Sequence, residues 1–264
     1  MKLVWSTPEI DQFSDQEFDK LLKHLRSNGF DGIEPMYYSR PNFEIQHLKD
    51  LLDANGQKVV GLRTGGIAAK YEVSFSSPDQ AIREKAVNHF IEAIHYAEDL
   101  ETPLLLVGLL QGRLSSEQNY QDARKNIIDC LVRCAAIAAK SNITIGLEAV
   151  NRFTLGYHAK AEQIIELLRE MNAPNIRLLL DTFHMNIEEN CLEETLILSA
   201  PWLGHVHLAD NNRLAPGRGN LDFARIIKIL KALDYQGYIS IESDDYDWFP
   251  AISDASRLLL PLIK

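Results

Sequence analysis

Residues 203–223 read LGHVHLADNNRLAPGRGNLDF. Leu203–Ala209 is an apolar run of the length of one short buried strand, and His207 lies near its exit. A polar loop follows with Asp210, Asn211, Asn212 and Arg213, then Pro216, Gly217 and Gly219, and a helix begins near Asp222. Strand, long polar loop and helix make one unit of an α/β fold, in which chemistry is placed at the strand exit. Whether this unit recurs decides the fold.

It recurs along the whole chain. Leu3–Thr7 is a first strand, and Ser14 to Glu17 has capping-box spacing ahead of a helix with Phe18, Leu21, Leu22 and Leu25 on one face. Asp31–Met36 is the second strand, with Glu34 near its exit, and Phe43–Ala54 the next helix. Gln57–Arg63 is the third strand, and Thr64–Ser77 reads as a polar loop able to cover a site. Ser77-Pro78 opens a helix that runs to about Leu100. Pro103–Leu110 is continuously apolar, the mark of a strand buried on both faces, and Tyr120–Lys140 is a long helix. Strands five to eight are Ile143–Val150, Ile176–Asp181, Leu203–Ala209 and Tyr238–Ser243. Helices His158–Met171, Leu192–Ser199, Asp222–Leu233 and Ser253–Ile263 follow them.

Eight such units in 264 residues average 264/8 = 33 residues each, and no linker or low-complexity tract divides them. Crossover units force parallel strands covered by helices. The expectation is an α/β protein of the (β/α)8 TIM-barrel class, with one catalytic domain over residues 1–264; an open doubly wound sheet is the alternative. No glycine-rich phosphate loop follows an early strand, which disfavours an open sheet built around a dinucleotide.

Composition narrows the function classes. A net charge of −10 disfavours a nonspecific nucleic-acid or acidic-membrane binder. Cys130, Cys134 and Cys191 make no disulfide framework, and the first two sit four apart in a helical pattern as small core residues. No run reaches transmembrane length and the start MKLVWSTPEID has no apolar signal region, so the expected setting is cytoplasmic.

Four groups stand at equivalent places on strands five to eight: Glu148 in IGLEAV, Asp181 in LLLDTFH, His207 in HVHLAD and Glu242 in SIESDD. Their spacings, 181−148 = 33, 207−181 = 26 and 242−207 = 35, are each close to one unit. In a barrel they converge at the C-terminal mouth. Three carboxylates and one imidazole form a hard, oxygen-rich donor set suited to one divalent ion: manganese, magnesium or cobalt, with zinc also admissible. Such an ion would also offset the repulsion among the carboxylates.

With these residues in view, the chain resembles the xylose-isomerase-like sugar isomerase and epimerase superfamily. It is most similar to the ketose 3-epimerase branch typified by tagatose and psicose 3-epimerases. The motifs that carry the resemblance are GLEAVNRF at 146–153, LLDTFHMNIEE at 179–189, GHVHLADNNRLAPGRG at 204–219 and SIESDD at 240–245. The resemblance implies a divalent metal, often manganese, held by Glu148, Asp181, His207 and Glu242. It implies substrate contacts from His184 and Arg213, and catalysis by Glu148 and Glu242 facing each other across a keto-sugar. It also implies a homo-oligomer, dimer or tetramer. The reaction it implies inverts a carbon next to a ketone, or moves the carbonyl, through a cis-enediolate: one glutamate, expected to be Glu242, removes the proton and the other returns one, on the opposite face for an inversion. Thr154 departs from the branch, which usually continues NRF with a substrate-contacting glutamate.

Other activities share this scaffold. Inosose or hydroxypyruvate isomerase and sugar-phosphate epimerase use the same chemistry. Arg63, Arg113, Arg152 and Arg218 lie in or near mouth loops, where a surface or salt-bridge role is the expectation for each and service to a substrate phosphate or carboxylate the alternative. An endonuclease IV type of phosphodiester hydrolase needs further histidines from strands three and four, and Gln57–Thr64 and Pro103–Gly112 contain none. A non-enzymatic sugar-binding barrel would have no need to keep all four ligands occupied.

Overall fold

The protein is described by a computed structural model covering residues 1–41, 44–114 and 118–264. Among the described residues there are eight strands: β1 Lys2–Thr7, β2 Gly32–Pro35, β3 Leu62–Arg63, β4 Leu104–Val107, β5 Thr144–Glu148, β6 Ile176–Asp181, β7 Leu203–Leu208 and β8 Tyr238–Ile241. All pair in parallel, in the order β2-β1-β8-β7-β6-β5-β4-β3. Isolated parallel bridges Ile33–Val59 and Met36–Arg63 bring β2 to β3, so the sheet curls into a nearly closed barrel. The open-sheet alternative is thereby set aside.

Around the strands lie α1 Asp15–Ser27, α2 Ile45–Ala54, α3 Gly65–Tyr71, α4 Gln80–Asp99, α5 Tyr120–Ala138, α6 Ala161–Met171, α7 Thr182–Glu188, α8 Leu192–Ser199, α9 Phe223–Ala232 and α10 Trp248–Ile263. The capping box at Ser14 and Glu17 starts α1 as its spacing predicts, and Asp222 caps α9. Apolar stripes such as Ala86, Phe90, Ile94 and Ala97 on α4 bury against the barrel in one continuous core. Cys130 and Cys134 are buried within it, as free thiols.

Several boundaries differ from the sequence expectation. The polar loop 64–77 contains α3, whose Gly66 permits close packing: a Cβ there would lie 2.6 Å from the Tyr37 carbonyl. α4 begins after Pro78, not at it, because Asp79 takes the capping role and accepts from Ala81 N at 2.7 Å. The third strand shrinks to Leu62–Arg63, and the apolar run at 103–110 leaves the sheet after Val107, with Leu109 in a one-turn helix and 43% exposed. α6 starts at Ala161, leaving His158 ahead of it, buried beside Gln111. α10 begins five residues before the expected Ser253 and keeps Pro261 in its last turn. The expected start of the second helix at Phe43 lies outside the described residues.

One irregularity matters for the site. Between β6 and β7 the register slips, Leu178 pairing with Leu203 and Leu179 with His205, so Gly204 is the extra residue. A Cβ at 204 would lie 2.3 Å from Arg177 Cβ, which explains the glycine. Beyond the bulge Asp181 pairs with His207, side by side at the mouth.

Candidate metal centre

Glu148 is the last residue of β5, Asp181 the last of β6, His207 the next to last of β7, and Glu242 follows β8 directly. One donor atom from each lies within 4.8 Å of the others, so the four strand-end groups converge as the spacing predicts. Glu148 needs a neighbour without a side chain: a Cβ at Gly108 would lie 2.2 Å from its Oε2. Its Oε1 is buried and has no hydrogen-bond partner among the described residues. A buried carboxylate oxygen left unpaired, inside a cluster of three carboxylates and one imidazole, fits a hard divalent cation.

The charges are sharply differentiated. Burial, then repulsion from Glu242, pushes the Glu148 carboxyl up to about 8. Burial would also raise Glu242, but Arg213, His207 and Arg63 outweigh it and hold Glu242 well below the usual carboxylate range. For His207 burial is opposed by Glu34 and Glu242, which together raise it well above its ordinary value. Its Nδ1 donates to Glu242 Oε2 at 2.9 Å and is turned toward Asp181 at 3.9 Å, which makes Nδ1 the nitrogen facing the cluster.

A second ring of side chains backs these four. Glu34, fully buried at the end of β2, lies 2.8 Å from His205 Nε2 and 2.8 Å from His207 Nε2. The first is a hydrogen bond; the second is an ion-pair contact whose N–H direction falls outside hydrogen-bond geometry. A carboxylate behind a ligand imidazole fixes the ring. Arg63 reaches across the barrel to Glu242 Oε1 at 2.6 Å and donates to the Thr7 carbonyl at 2.5 Å and the Glu34 carbonyl at 3.3 Å.

The structure places Arg213 on the carboxylates themselves, 2.5 Å from Asp181 Oδ2 and 2.7 Å from Glu242 Oε2, with its guanidinium over the Phe183 ring at 5.0 Å. Its backbone is left-handed, at φ 65°. The loop that presents it is folded around Asp210, which is fully buried. Asp210 Oδ1 accepts from Asn211 N and Leu221 N at 2.9 and 3.0 Å, and Oδ2 from Gly217 N and Gly219 N at 3.1 and 2.8 Å.

His184 lies on α7, a helix the sequence reading did not anticipate. Asp181 starts it, Oδ1 accepting from Phe183 N at 2.8 Å, so one residue both caps the helix and belongs to the metal cluster. His184 Nε2 is 3.7 Å from Glu148 Oε1, and its Nδ1 meets Asn151 at 2.7 Å. Of the mouth arginines, Arg152 grips Glu188 with two nitrogens, and Arg218 joins Asp245 and Asp254. Arg113 donates to the Phe153 carbonyl at 3.4 Å.

Glu34 was visible near a strand exit without an assigned role, and His205 and Asn151 were not singled out. The signal for His205 was the HVH spacing, because residues two apart on a strand share a face. Among the described residues no helix is long and apolar enough to cross a membrane.

Comparison with known proteins agrees with this geometry. The sequence pattern of the family described as "Xylose isomerase-like TIM barrel" matches residues 22–261. An L-ribulose 3-epimerase of Methylomonas sp. (strain DH-1) is 30% identical over 247 residues, covering 91% of this chain and 82% of that one. An L-ribulose 3-epimerase of Mesorhizobium japonicum is 31% identical over 244 residues, covering 91% and 78%. Among solved structures, a 3-keto-D-glucoside 4-epimerase from E. coli superposes with a TM-score of 0.86 at 25% identity, covering 99% of both chains. The chain belongs to the xylose isomerase-like TIM-barrel superfamily, close to its ketose 3-epimerase branch.

Proposed function

We propose that this protein is a metal-dependent epimerase of unphosphorylated keto-sugars, inverting the carbon next to the ketone and acting at C3 of a ketose. The observation that carries the reading is the convergence of Glu148 and Glu242, from opposite ends of the run β5 to β8, with Asp181 and His207, one donor atom of each within 4.8 Å of the others. Two carboxylates that reach one substrate from different strands are suited to acid and base roles in one reaction.

A divalent ion held by Glu148, Asp181, His207 and Glu242 would supply electrophilic polarisation of the substrate carbonyl and its adjacent hydroxyl. The donor set favours manganese, with magnesium, cobalt or zinc as substitutes. Glu242 removes the proton from the carbon, and Glu148 delivers one to the opposite face. His184 and Arg213 donate hydrogen bonds to the oxygen that gains charge in the cis-enediolate. The return reaction exchanges the two glutamates.

An unphosphorylated substrate is supported by the arginines. Arg63, Arg152 and Arg218 are each paired with a carboxylate, so recruiting any of them to a phosphate would break an existing ion pair. A second reading is epimerisation of a 3-keto-glycoside at the carbon next to its ketone. It is favoured by Thr154, whose hydroxyl is turned onto Asn151 Oδ1 at 3.2 Å and offers no carboxylate to an open-chain substrate end.

The deciding experiment incubates ketoses, 3-keto-glycosides, inososes, hydroxypyruvate and ketose phosphates with manganese-loaded enzyme in heavy water, and locates deuterium by NMR. Label at C3 of a ketose with inversion supports the first reading; label at C4 of a 3-keto-glycoside supports the second. Aldose formation with label at C2 of the aldose or at C1 of the recovered ketose would replace both by an aldose–ketose isomerase. Glu242→Gln should abolish exchange, and rapid exchange in that variant removes Glu242 as the base.

A further inference from the structure

Asn151 is buried three residues beyond Glu148, and both ends of its amide are engaged. Oδ1 faces three donors: Phe153 N at 3.0 Å, Thr154 N at 3.1 Å and Thr154 Oγ1 at 3.2 Å. Two of these are backbone N–H groups, which donate and never accept. The amide therefore has one admissible orientation, since the flipped form would press its NH2 against two N–H groups. Nδ2 is then the atom 2.7 Å from His184 Nδ1.

A neutral imidazole carries one ring hydrogen. An amide N–H donating to Nδ1 requires a lone pair there, so the hydrogen must sit on Nε2. That nitrogen stands 3.7 Å from Glu148 Oε1, beyond hydrogen-bond reach, and its N–H is not consumed by the carboxylate it faces. The ring is held in place: His184 is 8% exposed, on a helix started by Asp181, with Phe183 packed at 5.4 Å between ring centres.

We propose that Asn151 is a positioning residue that locks His184 in the Nε2–H tautomer, so that this N–H is directed at the substrate oxygen that gains charge. The tautomer follows from the hydrogen bonds; its catalytic use rests on the proposed function. Thr154 belongs to the same device, since its hydroxyl adds a third donor to the oxygen that orients the amide.

The test uses protein labelled with 15N at its eight histidines, with the His184 signals identified by their loss in His184→Gln. Two-bond proton–nitrogen correlation should show Nε2 protonated and Nδ1 not. Asn151→Asp puts an acceptor opposite Nδ1, so the hydrogen should move to Nδ1. The kcat for carbon exchange should fall on the order of 100-fold, as when a donor to a developing oxyanion is lost, with KM and manganese affinity unchanged. A wild-type spectrum with Nδ1 protonated overturns the proposal, and so does an unchanged His184 pattern or an unchanged kcat in Asn151→Asp. If that variant does not fold, the wild-type spectrum decides the tautomer, and Asn151→Ala, which also removes the donor, takes its place in the kinetics. If no keto-sugar exchanges deuterium while Nε2 is protonated and the hydrogen moves in Asn151→Asp, the proposed function fails and the tautomer lock stands.

Discussion

Asp210→Ala should be the most damaging single substitution in the mouth loops, although Asp210 belongs to neither the candidate metal cluster nor the proposed substrate contacts. Its carboxylate closes residues 210–221 by accepting four backbone N–H groups, from Asn211, Gly217, Gly219 and Leu221. Each donor left unpaired in a buried place costs about 1–3 kcal/mol. Gly217 and Gly219 are exposed and their N–H groups can turn to water, whereas Asn211 and Leu221 are half-buried. The net loss is therefore about 3–4 kcal/mol, not four full penalties. For a chain of this size that lowers Tm by roughly 10 °C. Asp210→Asn keeps one acceptor oxygen but turns an NH2 toward the remaining N–H groups, so it should cost nearly as much. Arg213 N donates to the Asp210 carbonyl, so loosening the turn also frees Arg213 from Asp181 and Glu242, and exchange activity should fall more than the melting loss explains. Calorimetry of wild type and both variants, with deuterium exchange on the same samples, tests this. A drop in Tm under about 2 °C for Asp210→Ala would show that water replaces the carboxylate and would refute the reasoning.

Gly108→Ala should weaken manganese binding about 10–100-fold while the barrel stays folded, because the new methyl must displace the Glu148 carboxylate; titration calorimetry finding wild-type affinity would remove Gly108 from that role. Glu148 yields a pH prediction for chelator-treated protein. Its folded value, about 8, is above its ordinary 4.5, so its stabilising contribution is complete below about 4.5 and is lost as pH rises through about 8. The Tm of Glu148→Gln relative to wild type should therefore climb between those values and level off above them; a difference independent of pH contradicts the assignment. Assembly as a homo-oligomer predicts sedimentation above the 29.9 kDa of one chain, and a single species of that mass at working concentration would refute it.

The four metal-cluster residues were readable because each sits at the end of a strand, and strand ends recur with the length of the unit. Their supports were not, because those contacts cross the barrel. Glu34 meets His205 over a separation of 171 residues, and no local pattern announces that. Arg63 was noticed as a cation near the mouth, but its attachment to Glu242 depends on closure of the ring. Asn151 stands inside a motif quoted for its likeness, while its partner His184 lies on the next unit, on a helix that owes its start to Asp181. α3 was hidden by Gly65 and Gly66, which read as a break when taken alone. In place, Gly66 is demanded by the Tyr37 carbonyl and the Tyr38 ring against the helix.

The ring has one weak join. β2 and β3 meet through two isolated bridges, whereas every other neighbouring pair shares a ladder, interrupted only by the bulge between β6 and β7. Arg63 spans that join: its backbone pairs with β4, and its guanidinium is fastened to the carbonyls of Thr7 and Glu34 and to the carboxylate of Glu242. A circumference closed by a side chain behaves as a clasp rather than a weld. Prising β2 away from β3 pulls the guanidinium from its carbonyl anchors and strips a positive charge from Glu242 in the same movement. The integrity of the wall and part of the positive charge that holds Glu242 down thus share a single guanidinium, so mechanical strain on one side of the barrel is felt as a change of charge on the other.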